Sequence, residues 1–124
     1  MRPWIAYALI VLNILLTVYA QFIVKWQVMQ AGGLPAAPEH KLQFMVRLLL
    51  NPWIITAYAA AFAASLTWMA AMTKLDLSHA YPMTALTFVV VVLCSAPLFG
   101  EAITPLKMAG LLLIIVGIFI GSQG

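Results

Sequence analysis

The sequence predicts an all-α integral membrane protein of four transmembrane helices, with a short interfacial helix before the second. Three observations predict it. The 124 residues are 65% hydrophobic and 7% charged, against roughly 25% charged in a soluble domain, and mean hydropathy is +1.08. From Ala80 to Phe99 there are 20 residues without a charge, about 30 Å of helix, the thickness of a bilayer's hydrocarbon core. A second uncharged run, residues 108–120, follows after the short turn from Gly100 to Lys107, so the two runs must form an antiparallel hairpin. The length leaves room for a single domain, residues 1–124.

The first span is expected over residues 4–28. Arg2 before an apolar run, and Val18-Tyr19-Ala20 as a small-residue site, also fit a secretory signal. The run is punctuated by polar residues, which an ordinary signal core lacks, so it is expected to remain as a span. Those residues are Asn13, Thr17, Gln21 and Lys25, each four after the last. A step of four turns about 40° around a helix, so they form one slowly winding stripe. With Trp4 at one interface, Lys25 lies about 31 Å along the axis at the other, and Asn13 is past the midplane. Polar groups in hydrocarbon face other helices or a wet cavity. Two readings stay open: interhelical hydrogen bonds, or a polar path with Lys25 at its mouth. Lys25 alone could also snorkel to the surface.

Residues 26–41 read as the break after this span. Gly32-Gly33 ends the helix, and Pro35 and Pro38 prevent its resumption. In residues 39–50, Leu42, Met45, Val46 and Leu49 follow helical spacing with Gln43 and Arg47 on another side, which predicts an interfacial helix. Asn51-Pro52 restarts the chain into the second span, residues 53–73, with Pro near its first turn. Ala57, Ala61 and Ser65 predict a small-residue face for close helix approach. Trp68 lies about one turn from the far end, where aromatic belts are common.

A tight connection, Lys74 to Ser78, leads into the third span, residues 79–99. Tyr81, Thr84 and Phe88 share a face, and Tyr81 also suits an aromatic belt. His79 reads as a surface histidine. Pro82 admits either a kink or a placement in the first turn. The fourth span, residues 105–122, carries Gly117-x-x-x-Gly121 with Gly110 two turns earlier on the same face. That is a close-packing signal, and a contact between subunits is its natural use, because four helices are few to enclose a polar route. Positive charges favour the 25–52 segment and the 100–107 turn on the cytoplasmic side, by a margin small enough to allow both orientations.

Composition also excludes classes. The net charge of +3 bears on topology and lipid headgroups rather than on nucleic acid. Cys94 is the sole cysteine and lies in an apolar run, so no internal disulfide is possible. Glu39, Asp76 and Glu101 are the only acids, and all read as surface or turn residues. There is no metal-ligand cluster, no Ser/His/Asp set and no phosphate-binding glycine loop, so the sequence argues against an enzyme and implies no cofactor or metal.

Ala80-Tyr81-Pro82-Met83, the run Phe88 to Leu93, Glu101 followed by Thr104-Pro105, and Gly110 to Gly117 resemble the drug/metabolite transporter superfamily, with its EamA-like members and its small multidrug-resistance branch. Within it the chain is most similar to the four-helix subunits that flip 4-amino-4-deoxy-arabinose-phosphoundecaprenol across the inner membrane, and Gln21 with Lys25 fits that group. Small multidrug-resistance transporters share the size, the lysine and Ala80-Tyr81, but carry a glutamate where this chain has Thr17. The resemblance implies a multi-pass protein of the bacterial inner membrane, a homodimer or a heterodimer with a similar subunit. Its implied substrate is a polyprenyl-phosphate-linked sugar carried between leaflets. Lys25, with Arg47 or Lys41, would then meet the phosphate. Gln21, Thr17 and Asn13 would bond deeper in, Tyr81 and Trp68 would stack on sugar, and Gly110, Gly117 and Gly121 would form the dimer contact. Two rivals remain: export of cationic or amphipathic solutes, and a non-transporting accessory subunit of a membrane glycosyltransferase.

Overall fold

The structure is a computed structural model in which residues 3–32 and 37–123 are described. Arg2, Gly33 and Pro35, on which parts of the topology and helix-break expectations rest, lie outside them. Six helices follow in order: α1 (Pro3–Gln30), α2 (Pro38–Leu50), α3 (Pro52–Ala71), α4 (Leu77–Met83), α5 (Leu86–Phe99) and α6 (Pro105–Ser122). α1, α3, the α4–α5 pair and α6 are each long and apolar enough to cross a membrane. Many large apolar side chains face outward, among them Leu113, Phe119 and Ile120. Such a surface is stable only with lipid as its solvent.

α1 runs further than the sequence suggests. It continues through Gln27 to Gln30, because nothing between Lys25 and Gly32 breaks a helix. Gly32 then adopts a left-handed φ of 86°, which glycine tolerates without a steric penalty. α2 begins at Pro38, has Glu39 in its first turn and Arg47 in its last, each placed to complement the helix dipole. Among the described residues, none of α2 is buried, as an interfacial helix requires. Asn51 ends α2 and caps α3: its Oδ1 accepts from the Trp53 backbone N–H at 2.8 Å, with Pro52 at the first helical position.

The principal seam is between α1 and α3. The pairs Asn13–Ala64, Tyr19–Thr56 and Gln27–Asn51 run in opposite directions along the two helices, so they are antiparallel. α3 buries Ala57, Ala64 and Ala71 here, with Ile54. Ala61 and Ser65, which the sequence groups with Ala57 as a small-residue face, lie off this seam and are exposed. The reason is angular. Steps of seven return within about 20° of the same direction, whereas two steps of four drift about 80°. Alanines at Ala57, Ala64 and Ala71 let the α1 side chains Ile10, Ile14 and Val18 lie against the α3 backbone. On its other side α1 meets α5, where Val90 and Val91 pack against that same cluster.

The third span is interrupted, which resolves the two readings of Pro82. Pro82 lacks the N–H that would bond back along the helix. The chain tightens instead, with Thr84 N–H to the Tyr81 carbonyl and Ala85 N–H to the Pro82 carbonyl, both at 3.0 Å. α4 therefore ends at Met83 and α5 starts at Leu86. α5 stops at Gly100, which is left-handed with φ 69°. α6 starts where expected, with Thr104 Oγ1 accepting from the Lys107 backbone N–H. It rests on α4 and α5 at the edge of the bundle and buries only Leu111 among its described residues.

Candidate functional site

Gln21 and Lys25 are one turn apart on α1, on the side that faces α5. Phe22, between them in sequence, stands edge-to-face with Phe99 near the end of α5, ring centroids 5.8 Å apart. This aromatic contact holds the two helices together beside a small cavity of about 160 Å³. Gln21, Lys25, Val91, Ser95 and Glu101 also line it. Gly100 turns the chain so that Glu101 comes back over the mouth. The Lys25 Nζ lies 3.7 Å from the Glu101 Oε1, with both side chains about half exposed. That separation is an ion pair longer than a good N–H···O bond, so both groups are available to other partners. Ser95 is buried and turns its hydroxyl to the Val92 carbonyl at 3.1 Å. The site thus offers a cation, an anion and an amide at one end of the bundle.

The rest of the polar stripe does not join this cavity. Thr17 lies one turn deeper on α1 and is half-buried. Asn13 has rotated about 120° from Lys25 around α1 and donates to the Ala64 carbonyl on α3 at 2.8 Å. Between the two ends the α1–α5 seam is filled by Ile10, Ile14, Val18, Val90 and Val91.

Trp68 and Tyr81 are brought together, edge-to-face at 6.1 Å, but at the opposite end of the bundle. There Tyr7 on α1 pairs its hydroxyl with His79 at 2.9 Å, so His79 is a half-exposed histidine with a partner at this end of the bundle. The axial separation from Lys25 to Tyr7 is about 27 Å. Arg47 lies at the Lys25 end but in a different cavity, with Gln27, Gln30 and Asn51. Gly110, Gly117 and Gly121 share one face of α6. A Cβ added at any of them would meet nothing within 4 Å, and Gly117 and Gly121 are exposed.

The sequence does not single out Ser95, and it gives Glu101 as a turn acid and part of the family motif but not as a site residue. Glu101 reads as a turn acid because only the Gly100 turn and the α1–α5 packing bring it back to Lys25. Its place directly after Gly100 was the available signal.

The EamA-like transporter family matches residues 3–122. The chain belongs to that family. As an EamA-like protein it has curated relatives. A probable 4-amino-4-deoxy-L-arabinose-phosphoundecaprenol flippase subunit ArnF of Aeromonas salmonicida is 38% identical over 94% of this chain and 78% of the relative. A probable flippase subunit ArnF, of the same description, from Photorhabdus laumondii is 31% identical over 90% of this chain and 92% of the relative. A probable flippase subunit ArnE of Pseudomonas aeruginosa strain LESB58 is 37% identical over 56% of this chain and 61% of that relative's length. No solved structure matches this EamA-like chain.

Proposed function

We propose that this protein is a non-enzymatic flippase subunit of the bacterial inner membrane that carries an aminoarabinose-phosphoundecaprenol-like lipid between leaflets. The observation that carries the reading is the Lys25–Glu101 pair at a cavity of about 160 Å³. The lipid named for the relatives holds a phosphate and an amino sugar, one charge of each sign on a single polar head. Lys25 receives the phosphate and Glu101 the ammonium of the sugar, with Gln21 bonding the hydroxyl groups. The resting ion pair is thereby exchanged for two contacts of the same kind, and each charge keeps a partner. The polyprenyl tail stays in the bilayer, beside the outward-facing apolar surface.

A second subunit completes the route. The apolar packing between α1 and α5 leaves no polar passage through one chain among the described residues. The open glycine face of α6 suits close approach of another four-helix chain, either a copy of this one or a similar subunit, as the paired ArnF and ArnE names of the relatives suggest. Thr17 then lies along the joint passage, and Trp68 with Tyr81 meets the sugar at its far end.

The test is transport of the lipid-linked amino sugar in proteoliposomes containing this chain alone and with a similar four-helix subunit. Movement of the lipid above protein-free vesicles in either preparation supports the reading. No movement in both, with the protein folded and inserted, overturns it.

A further inference from the structure

A second cavity lies on the opposite side of α1 from Lys25. Gln27 is about 160° around the helix from Lys25, and the two cavities share no residue. This one, of about 320 Å³, sits between the end of α1 and the interfacial helix α2, and Gln27, Gln30, Arg47 and Asn51 supply its polar lining. An apolar cavity of about 260 Å³ adjoins it, sharing Phe44 and Leu48 and lined further by Val24, Val28, Met45, Leu49, Ile54 and Tyr58. Val24, Ile54 and Tyr58 are nearer the middle of their helices than Gln27 and Asn51, so the polar chamber is at the membrane surface and the apolar one is deeper.

The hydrogen bonds fix what the polar chamber presents. Asn51 Oδ1 is held by the Trp53 N–H in capping α3, so its Nδ2 must be the atom that faces Gln27. It donates to Gln27 Oε1 at 2.9 Å. Gln27, 7% exposed, therefore turns its own Nε2 away from Asn51. Gln27 lines the cavity, its Nε2 makes no hydrogen bond among those of the described residues, and no sealed side-chain nitrogen or oxygen there lacks a partner, so this donor is accessible to a ligand. Arg47 stands in the same lining with no carboxylate within ion-pair distance among the described residues. A guanidinium and an amide donor, with no acid in the lining, select an anion.

We infer that this two-part cavity binds an anionic glycerophospholipid of the surrounding leaflet, its phosphate on Arg47 and Gln27 and one acyl chain in the apolar chamber. The match is in charge and in direction, with the head at the surface and the tail pointing inward. A bound lipid is retained rather than transported, because the inner chamber is apolar apart from the Tyr58 hydroxyl and carries no charged group inward. It joins α2, which buries nothing of its own, to α1 and α3. The inference does not depend on the flippase reading, since it uses none of the same residues.

The experiment uses the purified full chain, stripped of lipid in detergent, with phosphatidylglycerol and phosphatidylcholine of identical chains as probes. Retention is read by native mass spectrometry and stabilisation by thermal unfolding. Wild type is expected to retain phosphatidylglycerol in preference to phosphatidylcholine. Arg47→Gln should bind it about tenfold more weakly, the loss of one charge-assisted contact, and Arg47→Lys should be intermediate. Leu49→Asn, at an exposed position, should weaken it through the tail, and Lys74→Gln, exposed beyond the far end of α3, should not change it. Equal binding by wild type and Arg47→Gln overturns the inference, as does equal retention of the two lipids. Displacement by inorganic phosphate alone would make this a soluble-anion site. Displacement by undecaprenyl phosphate at lower concentration than phosphatidylglycerol would make it a substrate site. Either result also overturns the inference.

Discussion

Asn13 on α1 donates its side-chain amide to the backbone carbonyl of Ala64 on α3 at 2.8 Å, near the middle of the bundle. That carbonyl also accepts from the Thr67 hydroxyl at 2.7 Å. Removing Asn13 therefore leaves no orphaned acceptor, and the loss is the bond itself, about 0.6 kcal/mol for a side-chain bond between membrane helices. Asn13→Leu should lower the stability of the inserted protein by no more than about 1 kcal/mol and leave transport per folded molecule unchanged. Reversible unfolding in detergent, with transport normalised to folded protein, checks it. A loss of transport with intact folding would return Asn13 to a polar path.

The α1–α3 seam gives a sharper test of packing. Ala64 is buried and Ala61, less than one turn away, is exposed. Ala64→Leu should force the helices apart and cost about 1–3 kcal/mol or more. Ala61→Leu, facing lipid, should be tolerated within about 0.5 kcal/mol. Thermal unfolding of the two variants distinguishes the seven-residue face from the four-residue one. A destabilised Ala61→Leu beside a neutral Ala64→Leu would reverse the assignment.

What the sequence made legible follows from which signals are one-dimensional. Run length and breaks are local, so the four spans, the interfacial helix and the start of α6 at Pro105 could be read directly. The third span was legible as a span because its length and hydropathy survive the Pro82 interruption. Which face of α3 packs inward was less legible: Ala57-Ala61-Ser65 and Ala57-Ala64-Ala71 are both small-residue lines, and only the crossing with α1 selects between them. The same limit applies to the candidate site. Gln21 and Lys25 stand out because they are one turn apart on one helix. Glu101 is 76 positions further on, and only packing of α5 on α1 makes them neighbours. Arg47 is equally visible as a cation, but which cavity it serves depends on where α2 lies against α1.

The glycine face of α6 should act between chains. Gly117 and Gly121 are exposed and a Cβ added at either meets nothing within 4 Å, so a larger side chain there is expected to point outward and leave the monomer's packing intact. Gly117→Leu and Gly121→Leu should each reduce cross-linked dimer in membranes while leaving monomer unfolding unchanged, because they remove the close backbone approach. Undiminished dimer in both variants would place the subunit contact on another helix.

The Lys25–Glu101 pair makes the most specific prediction about transport. At 3.7 Å and half exposed, the pair contributes only about 0–1 kcal/mol to folding, so neither Lys25→Gln nor Glu101→Gln should lower the unfolding temperature appreciably. Their effects on transport should differ in kind. Lys25→Gln removes the phosphate contact, about 1.5–3 kcal/mol, and should lower transport at subsaturating substrate roughly 10- to 100-fold. Lys25→Arg should keep much of the activity. Glu101→Gln removes only the ammonium contact, so it should slow an amino-sugar lipid by about tenfold. A lipid with a neutral sugar should move as well as before or faster, because Lys25 is no longer held by a carboxylate. The decisive comparison is therefore the ratio of rates for the two lipids in Glu101→Gln against wild type, in proteoliposomes at matched protein. A ratio that shifts towards the neutral sugar assigns the carboxylate to the amine. An unchanged ratio, with both rates reduced alike, would make Glu101 a positioning partner for Lys25 and remove the amino sugar from the recognition that this site performs.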